Sequence, residues 1–212
     1  MNSLNKSILS LLIVAALLSI MIIVAQTLNI FKPQVTSEKL LDMGYFQFDR
    51  PRPIGDIPLE NLNGKSVTLT NRHQQWQLVN FGYMFCPDIC PINLRLMSDL
   101  KKLWDSGDHQ QNLAITHITF DPQRDKLERL KPYLKYYHLE LAGLSGDLDN
   151  IKKLAKQLNT LFIHEKPDEY GNYFITHSDS ISLINPAGEY VGLFKAPYDK
   201  DKILAVLSLL IR

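Results

Sequence analysis

Residues 8–25 are apolar or small at every position except Ser10 and Ser19. As a helix rising about 1.5 Å per residue, that run covers about 27 Å, close to the hydrocarbon thickness of a bilayer. It predicts one uncleaved transmembrane helix within residues 1–31, in contact with lipid over residues 8–30. A cleaved secretory signal is the competing reading. Signal cores usually run about 7–15 residues, however, and Ala25-Gln26-Thr27 makes a poor cleavage site. No cysteine follows the run to carry a lipid. Residues 32–47 lack periodicity and read as a linker, leaving 48–212 as the folded domain. Lys6 precedes the run, and Lys32 and Lys39 follow it. A short N-terminal tail normally stays inside, so the domain is expected outside, in the periplasm if the source is a bacterium.

Within the domain the period changes several times. Pro51, Pro53 and Pro58 punctuate its start, and Asn63-Gly64 marks a tight turn ahead of Val67-Thr68-Leu69. Residues 77–82 read as a buried strand. Ile92, Leu96, Met97, Leu100, Leu103 and Trp104 then recur at helical spacing, and Pro91 suits the first helical position. Residues 113–120 form a second strand. Leu127, Leu130, Leu134 and Tyr137 predict a helix kinked or broken near Pro132. Residues 141–144 are a short third strand. Asp147 is placed to cap a helix carrying Ile151, Leu154 and Leu158. Residues 164–176 are charged, contain Gly and Pro, and read as a loop. Residues 181–184 and 190–194 flank Asn185-Pro186-Ala187-Gly188 as a hairpin, and a last helix starts near Asp199. Such alternation predicts an α/β domain with a mostly parallel, two-sided sheet, to which the hairpin adds antiparallel strands.

Charge changes the picture only by exclusion. With 23 Lys+Arg against 22 Asp+Glu, the chain carries no basic footprint for nucleic acid. Cysteine changes it more. The only two are Cys86 and Cys90. Closing so short a loop would contribute roughly 2 kcal/mol on the chain-entropy model, against about 4.7 for a loop of 100 residues. Chemistry explains the pair better than stapling does. It sits at a strand-to-helix junction, where the helix field favours thiolate over thiol. Two thiolates make a soft site suited to Cu(I), Zn or Fe–S. An Fe–S cluster normally takes four cysteines and structural zinc four Cys/His ligands. Copper is favoured, while zinc and disulfide chemistry stay open. The histidines available as a further ligand are His73, His109, His117, His138, His164 and His177. His177 stands out because it ends the charged loop just before a strand. His117 falls in a central strand, where a core role is the simpler reading.

Three separated motifs carry a resemblance. Asn80 to Pro91, including Phe81-Gly82-Tyr83 and Phe85-Cys86-Pro87-Asp88-Ile89-Cys90-Pro91, resembles the signature of the Sco/SenC family of copper chaperones. Phe120-Asp121-Pro122-Gln123-Arg124-Asp125 resembles its second segment, and Thr176-His177-Ser178 with Asn185-Pro186-Ala187-Gly188 its histidine segment. The resemblance covers about residues 48–212. It implies a thioredoxin-like three-layer α/β fold with a central mixed sheet and helices on both faces. It also implies one copper ion per domain, held by Cys86, Cys90 and His177. Asp121 would lie behind the ligands or face a partner, or else cap the next helix; Asp88 carries the same two readings, with a plain turn as the alternative. The implied partner is cytochrome c oxidase subunit II, through assembly of its CuA centre, or another copper-receiving protein. The implied location is a bacterial inner membrane with the domain in the periplasm, or the mitochondrial equivalent. Met84-Phe85 and Asn185 depart from the usual pattern without touching a ligand. The competing function is a thiol–disulfide oxidoreductase acting on a copper-receiving partner. Against it stand the C-x-x-x-C spacing and Thr176-His177, where a thioredoxin-like reductant keeps a cis-proline. A peroxiredoxin-like peroxidase is a third reading that no residue favours.

Overall fold

The computed structural model describes residues 3–27, 35–71 and 75–211. Two compact units result, Met1–Thr36 and Ser37–Arg212. The first contains helix α1, Ser3–Thr27. Its described side chains, residues 11–24, are all exposed. Among the described residues, no helix is long and apolar enough to cross a membrane. The structure therefore does not support the expected transmembrane helix, and the rest of the lipid-facing stretch lies partly outside the described residues.

The second unit begins earlier than the linker reading allows. Helix α2, Ser37–Asp42, and strand β1, Tyr45–Pro53, start inside residues 32–47. Leu40 and Tyr45 are buried there. Strands β2, Leu59–Asn61, and β3, Ser66–Val67, follow, with a 3-10 turn at Leu69–Asn71. Then come β4, Trp76–Gly82; α3, Ile89–Ser106; β5, Leu113–Thr119; α4, Leu127–Tyr137; β6, Ala142–Ser145; and α5, Leu148–Gln157. The chain finishes with β7, Phe162–His164; β8, Ile175–His177; β9, Ser180–Ile184; β10, Glu189–Lys195; and α6, Lys200–Leu210.

The main sheet has the order β1-β10-β9-β4-β5-β6-β2-β3. Only β4–β5 and β5–β6 are parallel; every other described pair in it is antiparallel. The sheet is mixed, and the mostly parallel arrangement expected from strand–helix alternation does not hold. The missed strands explain the difference. β1 carries Pro51 and Pro53 and breaks register between Gln47 and Arg52. That is how an edge strand tolerates proline, but it erases the alternating pattern. β7 and β8 form a separate two-stranded ribbon through the stretch expected to be loop. Three residues each are too few to show a period.

Burial runs through β4 and β5 on both faces, as central strands require. Val79 and Phe81 of β4 join Ile118 and Phe120, the α5 residues Ile151, Leu154 and Ala155, and Cys90 in one cluster. Alternate side chains point the other way, towards the face where α3 packs on β4 and β5 and also meets α4 and α6. Asp147 caps α5 as expected, accepting from the amides of Asp149 and Asn150. α4 runs unbroken through Pro132. Pro132 removes the amide that would have served the Glu128 carbonyl, yet the helix continues to Tyr137. α3 starts at Ile89, two residues ahead of Pro91, which brings Cys90 inside its first turn.

β10 passes close over β1 at Gly192. A Cβ there would lie 2.4 Å from the Phe46 carbonyl oxygen and 2.5 Å from the Tyr45 hydroxyl. Gly192→Ala is expected to destabilise the domain by about 1–3 kcal/mol through overpacking, read as a lower urea midpoint at unchanged slope.

Candidate metal centre

The site forms where the parallel strands β4 and β5 end. After Gly82 the chain turns tightly, the Cys86 amide donating to the Tyr83 carbonyl at 3.2 Å. Cys86 is half-buried and Cys90 buried; neither is bonded to the other. The Cys90 amide, in the first turn of α3, donates to Cys86 Sγ at 3.3 Å. Burial, followed by the neighbouring Cys86 sulfur, pushes the Cys90 thiol well above the ordinary range. For the inner cysteine, desolvation outweighs the helix field.

His177 ends β8, paired across the ribbon with Phe162. Its Nδ1 lies 3.0 Å from the Ser178 carbonyl oxygen. A carbonyl only accepts, so Nδ1 is the protonated nitrogen of this contact, and in the neutral ring Nε2 then presents its lone pair. That Nε2 lies 3.8 Å from Cys90 Sγ. The donor atoms of Cys86, Cys90 and His177 all lie within 4.8 Å of one another. A thiolate at about 2.3 Å and an imidazole at about 2.0 Å from one ion, in a trigonal arrangement, stand about 3.7 Å apart. The three donors need little movement to share a metal.

The surroundings hold this set in place. Phe120 packs against the His177 ring at 5.0 Å and Tyr83 meets it edge-on at 6.4 Å. The Tyr83 hydroxyl accepts from the Ile175 amide at 3.2 Å, tying β8 to the turn before Cys86. Gly82 leaves room for Cys90: a Cβ there would stand 3.0 Å from Cys90 Sγ and 2.9 Å from His117 Cε1.

Asp121 is fully buried, so it does not face a partner, and it does not cap α4, whose cap position is Lys126. It pairs with the Arg124 side chain and accepts from the Tyr173 hydroxyl at 2.8 Å. Arg124 in turn lies 3.6 Å from the Tyr173 ring centre and 4.8 Å from that of Phe85. Asp121 thus fixes the wall beside Cys86 through Arg124. Asp88 is exposed at the cap position of α3 and makes no side-chain capping bond. Asp125 binds the Met84 amide and the Thr119 hydroxyl; burial raises its carboxyl to about 6. Asn185 serves the hairpin, accepting from the Ala187 and Glu189 amides.

Among the described residues, His177 is the only histidine grouped with the cysteines. His109 stacks on Trp104, His164 lies beside Tyr173, and His138 follows α4. His73 lies outside the described residues. His117 is fully buried, with Nδ1 3.2 Å from Asn80 Oδ1, so the core reading holds. Arg124, Tyr173, Tyr83 and Gly82 are parts of the site that residue-type reasoning did not single out. Tyr83 and Gly82 lie inside the cysteine motif, where adjacency was the available signal. Tyr173 had none.

The profile of the SCO1/SenC family matches residues 50–212. The chain belongs to that family. A Stutzerimonas stutzeri relative is 32% identical over 160 residues, covering 74% of this chain and 76% of its own. The mitochondrial SCO1 homolog of Mus musculus is 31% identical over 171 residues, covering 81% of this chain. This chain spans only 60% of that mouse protein. The crystal structure of yeast Sco1 with copper bound superposes with a TM-score of 0.70 at 28% identity, covering 76% of this chain and 89% of that one. The mixed α/β fold is that of the Sco structures.

Two outcomes follow from the packing. Burial lowers His117 to about 3, so it is neutral in the folded domain. The unfolded chain binds a proton below about 6.5, so this residue's contribution to stability is present above that pH and declines as pH falls towards 3. Asp125 acts oppositely between about 4 and 6. Denaturation of native and His117→Phe protein across pH 3–7 should therefore show a steeper acid loss in the native chain. Gly82→Ala should cost about 1–3 kcal/mol and weaken metal binding, measured by denaturation and metal titration together.

Proposed function

We propose that this SCO1/SenC member carries one copper ion as cargo on Cys86, Cys90 and His177. The observation that carries this reading is the convergence of two sulfurs and a histidine nitrogen, all within 4.8 Å of one another. Soft donors of this number suit Cu(I). Binding displaces the Cys90 proton, because burial keeps that thiol protonated beforehand. Cys86, the more exposed sulfur, is the ligand an incoming acceptor reaches first. Release then proceeds by exchange at Cys86 before Cys90 lets go. The copper-bound yeast relative supports the choice of metal.

Family membership supports delivery to the CuA centre of cytochrome c oxidase, with subunit II as receiver. The exposed apolar side chains of residues 11–24 support membrane attachment through the N-terminal segment, and the short tail ahead of them favours placing the domain on the periplasmic or equivalent side. A second reading rests on the same sulfurs. A half-exposed Cys86 above a buried Cys90 is the arrangement of an attacking and a resolving thiol. In that reading the pair reduces the cysteines of a copper-receiving partner.

Anaerobic titration of the full chain in detergent should show one Cu(I) per chain. Cys86→Ser and Cys90→Ser should each abolish stoichiometric binding, and His177→Ala should weaken it by at least tenfold. Full binding by the His177 variant, or none by the native chain, would overturn the copper reading.

A further inference from the structure

His177 lies on a short ribbon outside the main sheet, while both sulfurs are set by β4 and α3. Something must hold the ribbon end to that helix. Ser178 is fixed from one side: its amide donates to the Leu161 carbonyl at 2.9 Å, and its hydroxyl accepts from the Leu161 amide at 2.9 Å. Asp179 is fixed from the other. Its Oδ1 accepts from Asn93 Nδ2 at 2.8 Å and from the Tyr198 hydroxyl at 2.9 Å.

The spacing gives these bonds their meaning. Asn93 lies three residues after Cys90, on the same face of α3. Asp179 lies two residues after His177. Tyr198 lies in the turn between β10 and α6. Asn93 is buried, so its amide has little freedom to find another partner. Burial, and then Asp179 itself, pushes the Tyr198 hydroxyl upward, which keeps it a donor. One carboxylate oxygen thus joins the cysteine helix, the histidine segment and the start of the last helix.

We propose that Asp179 is a positioning residue for the metal centre, setting the His177-to-Cys90 separation through its bonds to Asn93 and Tyr198. The role requires hydrogen-bond acceptance at Oδ1. The carboxylate does not touch the ion. This inference rests on the copper reading for its functional consequence, but the geometry it describes exists without metal.

The test uses the full chain in detergent with native, Asp179→Ala, Asp179→Asn and Asn93→Ala forms. Two quantities are measured: Cu(I) affinity by competition with a chromophoric chelator, and His177-to-Phe120 ring cross-peaks in the metal-free NMR spectrum. Asp179→Ala and Asn93→Ala should lower affinity by about 10–100-fold, the usual cost of losing a group that orients a ligand, and weaken those cross-peaks. Asp179→Asn keeps the accepting oxygen and should restore both. Native values for either quantity in Asp179→Ala, or failure of Asp179→Asn to rescue, would overturn the proposal. Should Asp179→Ala not fold, Asn93→Ala decides from the helix side. Should the native chain bind no copper, the copper reading fails by itself and the metal-free cross-peaks alone judge the positioning role.

Discussion

Burying the Cys90 sulfur at the start of α3 is the constraint around which the rest of the site is arranged. A sulfur there fits only if the backbone beside it carries no side chain. Gly82 meets that condition, with Cys90 Sγ and His117 Cε1 both about 3 Å from where its side chain would begin. Burial also decides protonation. The helix field alone would favour a thiolate, but desolvation raises Cys90 and keeps it a thiol without metal. The two cysteines differ in burial although they sit only four positions apart in the chain.

That difference links the two readings of function. A copper carrier needs a site that holds the ion yet yields it to a receiver. A dithiol reductant needs one sulfur exposed to attack and one held back. The same placement satisfies both demands, with Cys86 half-exposed and Cys90 beneath it. What tips the site towards metal is His177. Its Nδ1 lies against the Ser178 carbonyl and its Nε2 lies 3.8 Å from Cys90 Sγ, which adds a third donor atom to the two sulfurs.

The sequence made much of this legible, for physical reasons that also mark where it stops. The β4–α3–β5 segment shows clear periods because both faces of those strands are buried and α3 packs one continuous stripe. The cysteines fall at the junction because a local motif encodes a local turn. β1 stayed hidden because an edge strand needs no alternation and accepts proline. The β7–β8 ribbon stayed hidden because three-residue strands carry no period. Asp121 was picked out by resemblance, but only packing shows that it works through Arg124 and Tyr173, 52 residues downstream of it. Long-range partnership of that kind leaves no trace in residue type.

The same limit explains why the histidine is the least predictable member of the Cys-Cys-His group and the one most in need of support. Cys86 and Cys90 share a turn, and their separation is fixed by four residues of chain. His177 follows Cys90 by 87 residues and arrives on a ribbon that is not part of the main sheet. Its position has to be set by contacts made from several directions. Phe120 and Tyr83 limit the ring, Leu161 holds Ser178, and Asn93 with Tyr198 holds Asp179. Each contact is individually modest. A group hydrogen-bonded on both flanks and packed on two sides loses little further freedom when a metal binds, so binding costs less than it would for a free side chain. A site assembled from distant segments therefore reaches the preorganisation of the local cysteine pair, provided that the flanking bonds to α3 are kept.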